Sequence, residues 1–205
     1  MGAMVSLRRG LGLALLVILG ALAILALPGP VQAAGCPERP LDRTFMPWLD
    51  PAWYTQAPNG GFESGASGWT LERGAVVVDG NEPFLVGGSG DARSLALPPG
   101  GSATSSSMCI GVEHPTLRFF ARNTGDPTSL LTVSVVFRDA LGLRHSLPVG
   151  VVMARSSWAP TPVVPVVVNL LSVLGDQQVA FRFTAADGRG EWTIDDVYVD
   201  PYKKG

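Results

Sequence analysis

The sequence has few of the residue types from which catalytic and nucleic-acid-binding sites are usually built. Among its 205 residues only two are His and two are Cys, and the only lysines are Lys203 and Lys204. It has no clustered basic segment, so the usual footprint of a nucleic-acid-binding protein is missing. It also lacks the G-x-S-x-G, H-E-x-x-H and P-loop motifs of common hydrolases, metalloproteases and nucleotide-binding proteins. We therefore expect a protein without catalytic activity that does not bind nucleic acid.

Residues 1–33 have the composition of a secretory signal peptide. Arg8 and Arg9 precede an apolar run over residues 11–27, which Pro28-Gly29-Pro30 ends. We expect cleavage, so that the mature protein is secreted or lies at the cell surface. The alternative is an uncleaved segment that anchors the chain in a membrane. The full chain has 15 basic and 17 acidic residues, so removal of these two arginines leaves 13 against 17, a net charge of −4.

The cysteine count predicts one disulfide. Cys36 and Cys109 both remain after cleavage, and an even pair in an exported protein most simply forms a single bridge. The bridge would close a loop of 109 − 36 = 73 residues, worth at most about 4 kcal/mol in the loop-entropy model. Two free thiols are the alternative.

Residues 34–57 are rich in proline and aromatic residues and follow no period of 2 or 3.6. We expect an extended, irregular N-terminal arm. Its Trp48, Trp53 and Tyr54 most simply lie on the surface of the following domain and cover it. The alternative is that these aromatic residues form a ligand platform.

Residues 58–202 have the pattern of an all-β domain, followed by a short tail at 203–205. Short apolar or alternating runs are separated by Gly, Pro, Asn and Asp, as in antiparallel sandwiches. The predicted strands are 69–72, 75–78, 83–86, 94–97, 102–110, 116–123, 130–139, 145–149, 163–171, 178–185 and 191–200, with a short helical turn as the alternative near 169–173. This number of strands favours two packed sheets, a β-sandwich of the jelly-roll type, over a small barrel.

The last predicted strand contains a change of phase. Trp192 and Ile194 share one face because strand side chains alternate, whereas Val197 faces the other way. A one-residue β-bulge at Asp195-Asp196 would bring all the apolar residues to one core and would turn one carboxylate sideways. Two adjacent carboxylates in an apolar strand need a partner, because unpaired buried charge is costly.

The two ends of this domain resemble a known group of proteins. The motif Asn59-Gly60-Gly61-Phe62-Glu63, followed by Gly68-Trp69, and the closing motif at residues 192–197 resemble the jelly-roll domains of the galactose-binding-like superfamily, especially secreted carbohydrate-binding modules. The resemblance covers residues 58–202 and implies one structural calcium ion where the first and last strands meet.

The resemblance also implies the calcium ligands. Glu63 and Asp195 or Asp196 would supply carboxylates, and main-chain carbonyls from Asn59 to Gly61 would add oxygens. Calcium accepts six to eight oxygen ligands, in mixed carboxylate and carbonyl shells. The alternative is that these acids are solvated or paired with arginine. An acid and base pair of a small glycoside hydrolase would use the same carboxylates, but a metal site explains them with less strain.

Sugar binding in such modules uses flat aromatic faces flanked by polar groups. On predicted strand 116–123, Arg118, Phe120 and Arg122 point away from the core, and Trp158 lies in a proline-rich loop. We take these four as candidate ligand residues; arginine suits carboxylates, so an acidic sugar is among the candidate ligands. For Phe120 and Trp158 a structural packing role is the alternative.

The sequence therefore predicts an exported, non-catalytic protein similar to carbohydrate-binding modules, with a structural calcium site and an oligosaccharide or polysaccharide partner. The alternative is an exported structural or adhesive surface protein with the same fold and no sugar site.

Overall fold

The computed structural model describes residues 36–37, 39–110, 116–139, 141–166 and 177–200. Within these ranges the chain forms two antiparallel β-sheets, and its helical structure is a single 3₁₀ turn at Met46–Trp48. The predicted fold class, an all-β sandwich of two sheets, is confirmed. The predicted signal peptide, the tail and the helical turn near 169–173 lie outside the described residues. None of the described residues forms a helix long and apolar enough to cross a membrane.

The first sheet contains the opening and closing strands of the domain. Its strands are β1 (Thr55–Gln56), β3 (Val76–Asp79), β4 (Arg93–Leu97), β7 (Thr116–Asn123), β10 (Ala159–Pro160), β11 (Val164–Pro165) and β13 (Trp192–Asp200). Their order is β10-β7-β13-β4-β3, with β1 also paired to β13 and β11 to β7. Because β1 pairs with β13, the end of the arm and the end of the domain lie side by side.

The second sheet carries the long central hairpin. Its strands are β2 (Trp69–Glu72), β5 (Ser102–Ser105), β6 (Met108–Ile110), β8 (Leu130–Arg138), β9 (Arg144–Met153) and β12 (Gln177–Ala185). Their order is β2-β5-β12-β8-β9, and β6 also pairs with β12.

Four of the predicted strands differ clearly from the structure. The run at 145–149 is part of the longer strand β9, Arg144–Met153. The run at 102–110 is divided into β5 and β6, and the run at 163–171 contributes only Val164–Pro165 within the described residues. The run at 83–86 is a loop, because the Glu82 carboxylate accepts the backbone N–H groups of Phe84 and Val86 and so turns the chain back on itself. A local polar contact has overridden the apolar pattern here.

The inner faces of the two sheets form one hydrophobic core. The alternation predicted for β8 and β12 is confirmed, since the core contains Leu131, Val133, Val135, Val179, Phe181 and Phe183. Trp69 and Trp192 are buried in the same core, as expected from their positions in strand motifs. Burial of one large apolar side chain stabilises the folded state by about 1.5–3 kcal/mol.

The bulge predicted in the last strand is confirmed. Asp195 pairs with Phe120 and Tyr198 with Arg118, so the two residues between Asp195 and Tyr198 face a single residue of β7. The extra residue restores the phase, and both Ile194 and Val197 reach the core.

The N-terminal arm covers the outer face of the first sheet. The predicted disulfide is present between Cys36 and Cys109, with Cα atoms 5.4 Å apart. Phe45 and Tyr54 are fully buried against Phe120 and Tyr198, and Trp48 packs on the same cluster. The expectation that the arm aromatics cover the domain is therefore confirmed for Trp48 and Tyr54, whereas Trp53 is exposed.

Candidate metal centre and groove

Three buried carboxylates meet at the bulge of β13. Oxygen atoms of Glu82, Asp91 and Asp196 lie within 4.8 Å of one another, and all three side chains are buried. None of the ion pairs in the described part of the chain involves these three acids. Such a group carries up to three negative charges in a poorly solvated place, which is stable only with a cation or with bound protons.

The bulge places Asp196 in this cluster. Asp196 has a left-handed backbone with φ 48°, an unusual conformation for a residue that is not glycine. Its Oδ1 accepts a hydrogen bond of 2.9 Å from Nε2 of Gln56 at the end of the arm. Asp195 lies behind it, and its carboxylate accepts the N–H groups of Asp196 at 2.8 Å and of Glu82 at 3.2 Å. Asp195 thus ties the loop that carries Glu82 to the last strand.

The oxygen atoms of the cluster fit a cation. Both carboxylate oxygens of Asp91 and Oδ2 of Asp196 are buried and make no hydrogen bond of acceptable geometry. A Cβ atom on Gly87 would lie 3.0 Å from Oδ2 of Asp91 and 3.1 Å from Oδ1 of Asp196. Gly61 borders the same space, with a Cβ position 3.3 Å from Oδ1 of Asp196. Unpaired carboxylate oxygens around a space that two glycines keep open are the donors that calcium prefers.

Burial and mutual repulsion make these acids hard to ionise without a cation. Burial, together with the neighbouring Asp91, raises the pKa of Asp196 to about 8. Burial and the charge of Asp196 raise the pKa of Asp195 to about 9. Burial raises the pKa of Asp91 to about 6, and the neighbouring Glu63 carboxylate adds to the rise. A bound divalent cation would lower these pKa values, since it favours the ionised carboxylates.

The predicted calcium ligands lie around this centre in different roles. Asp196 is in the cluster, Gly61 borders it, and Asp195 supports it from behind. Glu63 lies beside Asp91, but its Oε1 accepts the N–H groups of residues 92 and 93 at 2.9 and 2.8 Å. The main-chain carbonyl of Asn59, which was the predicted ligand atom, accepts the indole N–H of Trp69 at 3.0 Å and the N–H of Phe62 at 3.2 Å, and the Asn59 side chain bonds within its own turn.

Sequence reasoning missed Glu82 and Asp91. Both lie in a loop over residues 80–91 that contains four glycines and one proline, where isolated acids are ordinary turn residues. The available signal was the position of these acids beside the glycines at 80, 87, 88 and 90, but nothing in the sequence places this loop at the last strand.

Phe120 and Arg118 point outward from the core as predicted, but they are not exposed. Phe120 is fully buried, with Trp48, Phe45 and Phe84 rings centred 5.2, 5.6 and 5.5 Å away. Arg118 donates from Nη1 to Asp50 at 2.6 Å and from Nε to a backbone carbonyl. The expected exposed face on β7 is therefore corrected: the arm lies over it.

The acidic partner of Arg118 is held by several donors. Burial alone would raise the pKa of Asp50, but hydrogen bonds from the Tyr54 hydroxyl, the Ala52 N–H and the Arg118 guanidinium bring it below its ordinary value. The Tyr54 hydroxyl donates to Oδ2 of Asp50 at 2.8 Å. This network fastens the arm to β7.

Arg122 and Trp158 also contact each other at the outer face of the first sheet. The guanidinium of Arg122 lies over the indole of Trp158, 5.0 Å from the ring centre, and both side chains are partly exposed. Trp158 packs against the same cluster as Phe120. Part of this stacked pair therefore stays accessible to solvent.

The outer face of the second sheet contains a groove of about 460 Å³, a size within the usual range for small-molecule sites. It is lined by Thr70, Thr104, Ser105, Ser106, Ser107, Val136, Phe137, Arg138, Arg144, Gln178 and Ala180. The floor of the groove consists of three residues that point outward from the core yet are almost completely buried, namely Thr104, Val136 and Ala180. Hydroxyl, amide and guanidinium groups form much of its rim.

Sequence reasoning did not identify this groove. Its residues come from five strands and the short link at 106–107, and apart from Phe137, which packs against the core, most look like ordinary outward-facing positions. The only local signal was the run Ser105-Ser106-Ser107. The single aromatic residue of the lining is Phe137, which is partly buried and stacks on His145.

Comparison with known proteins gives structural similarity alone. No protein-family model and no curated protein matches the chain. The chain is similar to the CBM22-1 xylan-binding domain from Paenibacillus barcinonensis Xyn10C, with 14% identity, a TM-score of 0.48 and coverage of 74% of this chain and 99% of that one. It is similar to TmCBM61 in complex with β-1,4-galactotriose, with 18% identity, a TM-score of 0.44 and coverage of 71% and 97%. Both are carbohydrate-binding modules, the group that the sequence motifs resemble.

Two larger structures also contain a similar region. Tailspike protein 4 of bacteriophage CBA120 has 19% identity and a TM-score of 0.47, over 70% of this chain and 21% of that one. The Clostridium thermocellum xylanase 10B structure, with CBM22-1 and GH10 modules complexed with xylohexaose, has 14% identity and a TM-score of 0.49, over 69% and 27%. The chain thus spans less than a third of the length of either protein.

Proposed function

We propose that this protein is an exported, non-catalytic carbohydrate-binding β-sandwich that holds a structural calcium ion. The groove on the second sheet is the observation that carries the proposal. Its buried floor and its rim of hydroxyl and amide groups offer the alternating donors and acceptors that sugar hydroxyls require. The proposal therefore moves the sugar site from the outer face of β7, which the arm covers, to the outer face of β5, β8 and β12.

Calcium is the ion that suits the acidic cluster best. Its support is the set of buried, unpaired oxygens on Asp91 and Asp196 together with the charge of Glu82. Calcium would neutralise these charges and join three segments that are distant in sequence, namely the loop at 82–91, the glycine turn at 60–61 and the last strand. A carboxylate set with no His or Cys disfavours zinc.

Export and the absence of catalysis have separate support. A disulfide between Cys36 and Cys109 is typical of proteins that fold in an oxidising compartment. Within the described residues His145 is on the surface, and the hydrogen bond given for its ring nitrogen Nε2 is to the Asp139 carboxylate at 2.8 Å. The buried carboxylates are better explained by a cation than by acid and base catalysis.

A glycan-array screen of the purified protein in calcium tests the sugar-binding proposal. We expect binding to at least one glycan class, and we expect Thr104→Tyr, which would fill the floor of the groove, to abolish it. The control is Thr124→Tyr, an exposed threonine that does not line the groove. Binding that survives Thr104→Tyr would place the sugar elsewhere, and an array without any bound glycan would contradict the proposal.

A structural or adhesive surface role with no sugar site is the second candidate. The observation that favours it is the lack of a fully exposed aromatic ring in the groove, since Phe137 is partly buried. The same array separates the two, because an adhesive protein without a sugar site would bind none of the glycans.

A further inference from the structure

Two arginines face each other across one end of the groove. Arg138 ends β8 and Arg144 begins β9, and the two are direct partners in the antiparallel ladder. Both are exposed and both line the groove, so their side chains lie on the same face of the sheet. Like charges directly opposite on neighbouring strands destabilise a sheet. The pair therefore costs stability in the free protein.

No acidic residue in the described part of the chain neutralises this pair. Arg138 donates from Nη1 to the carbonyl of Gly142 at 2.8 Å, and neither arginine forms an ion pair. The adjacent Asp139 is already engaged: Oδ1 accepts two N–H groups of the hairpin turn and Oδ2 contacts His145. The two guanidinium groups thus present unneutralised positive charge to the groove.

A third arginine on the same face provides a contrast. Arg182 donates to Glu72 at 2.7 Å and to Ser102 at 3.0 Å, so its charge is satisfied within the protein. Within the groove the two arginines without an ion pair lie beside Gln178, because Val179 pairs with Phe137 and Arg138 with Arg144 in the ladder.

We propose that this end of the groove binds the carboxylate of an acidic sugar, and that the ligand of the protein is a uronic-acid glycan. This inference rests on the proposed function, because it assigns a ligand class to the same groove. The planar guanidinium fork matches a carboxylate and can bind it through two parallel hydrogen bonds. A carboxylate between Arg138 and Arg144 would also remove their repulsion. The free energy of binding would then include the relief of a destabilisation that is present in the free protein. Gln178 and the serines would bind the neutral hydroxyls of the same and adjacent sugar units.

Matched pairs of oligosaccharides test the inference. Isothermal titration calorimetry would compare oligogalacturonate, oligoguluronate and glucuronoxylan oligosaccharides with their methyl esters, which keep the sugar backbone and lose the charge. We expect at least one acid form to bind about tenfold or more tightly than its ester. We expect Arg138→Gln and Arg144→Gln each to weaken that binding about tenfold, and to leave binding of the ester unchanged.

The control variant is Arg73→Gln, which removes the same charge from an exposed residue outside the groove. The melting temperature of Arg144→Gln should equal or exceed that of the natural protein, because a repulsion is removed, and that of Arg138→Gln should fall by no more than the loss of its exposed hydrogen bond to the Gly142 carbonyl requires. A fall in both would mean that the pair has a structural role and would overturn the inference.

The outcomes separate the two proposals. Equal affinity for acid and ester forms, binding of neutral oligosaccharides alone, or affinity unaffected by both arginine variants would overturn the acidic ligand and leave sugar binding intact. Absence of binding to every acid, ester and neutral glycan would overturn the proposed function itself.

Discussion

If calcium occupies the acidic cluster as we propose, its removal should destabilise the protein by an amount set by how far the free calcium concentration exceeds its Kd. A ligand that binds only the folded state at a hundredfold excess over its Kd adds about 2.7 kcal/mol of stability. For a domain of this size, about 1 kcal/mol corresponds to about 2–4 °C in Tm. Excess EGTA should therefore lower the Tm of a calcium-loaded sample by about 5–10 °C.

Asp196→Asn tests whether Asp196 is a metal ligand or only a hydrogen-bonding residue. In calcium the variant should melt about 5–10 °C below the natural protein, because the site loses a carboxylate. In EGTA it should melt no lower, because without a cation burial and Asp91 raise the pKa of Asp196 to about 8, so that the natural residue, like Asn, is mostly uncharged at neutral pH, and the Asn side-chain oxygen can still accept from Gln56. Asp187→Asn, at an exposed residue, is the matched control and should shift the Tm in neither condition.

Gly87→Ala tests the same site without changing a charge. The added methyl group would lie 3.0–3.1 Å from oxygens of Asp91 and Asp196 and would occupy the space between them. The variant should lose most of its Tm response to calcium. Differential scanning calorimetry, with bound calcium measured by atomic emission, checks all three results. The reasoning is refuted if EGTA leaves the Tm of a calcium-loaded sample unchanged, or if Asp196→Asn is equally destabilising with and without calcium.

Three further predictions concern the N-terminal arm. Phe120→Ala should cost about 3–5 kcal/mol in urea denaturation, because it leaves a cavity under the arm; a loss below about 1 kcal/mol would mean that the ring is not packed as described. Asp50→Asn should cost about 3 kcal/mol by leaving the Arg118 charge buried without its partner. The folded-state pKa of Asp50 is below its ordinary value of 3.8. Its carboxylate therefore stabilises the fold fully above pH 3.8, and less as the pH falls through the lower folded-state pKa. Asp50→Asn should lose this part of the acid sensitivity, whereas Asp126→Asn, which leaves Asp50 in place, should keep it. Reduction of the disulfide, or Cys36→Ser with Cys109→Ser, should cost about 4 kcal/mol; an unchanged urea midpoint would contradict the disulfide's contribution.

Local patterns in the sequence predicted much of the fold. The strand at 116–123 was predicted to the residue, and the bulge followed from the change of phase between Ile194 and Val197. These inferences succeeded because the alternation of side chains along a strand is a local property that the tertiary structure has no reason to override. The strand predicted at 83–86 was wrong, because the contact of the Glu82 carboxylate with the backbone of this segment outweighs its apolar pattern.

The sites were predicted less completely. Asp196 and the neighbourhood of Gly61 were anticipated, because both belong to motifs with a recognisable pattern. Glu82 and Asp91 were not, since an acid in a glycine-rich loop becomes a ligand only if that loop folds onto the last strand. Phe120 faces away from the core as predicted, but it is buried because the N-terminal arm covers that face of the sheet.

The sequence by itself determined the all-β class, the phase of the strands at 116–123, 130–138 and 178–185, the bulge and the residues available for one disulfide, because each depends on neighbours in the chain or on composition. Only the tertiary structure decided that three acids share one buried space, that the arm lies over Phe120, and that the hairpin pair Arg138 and Arg144 lines a groove. The first two arrangements join segments that are distant in sequence, and the third depends on a groove whose other walls come from distant strands. Their energies come from burial, repulsion and unpaired charge that exist only once the sheets have packed.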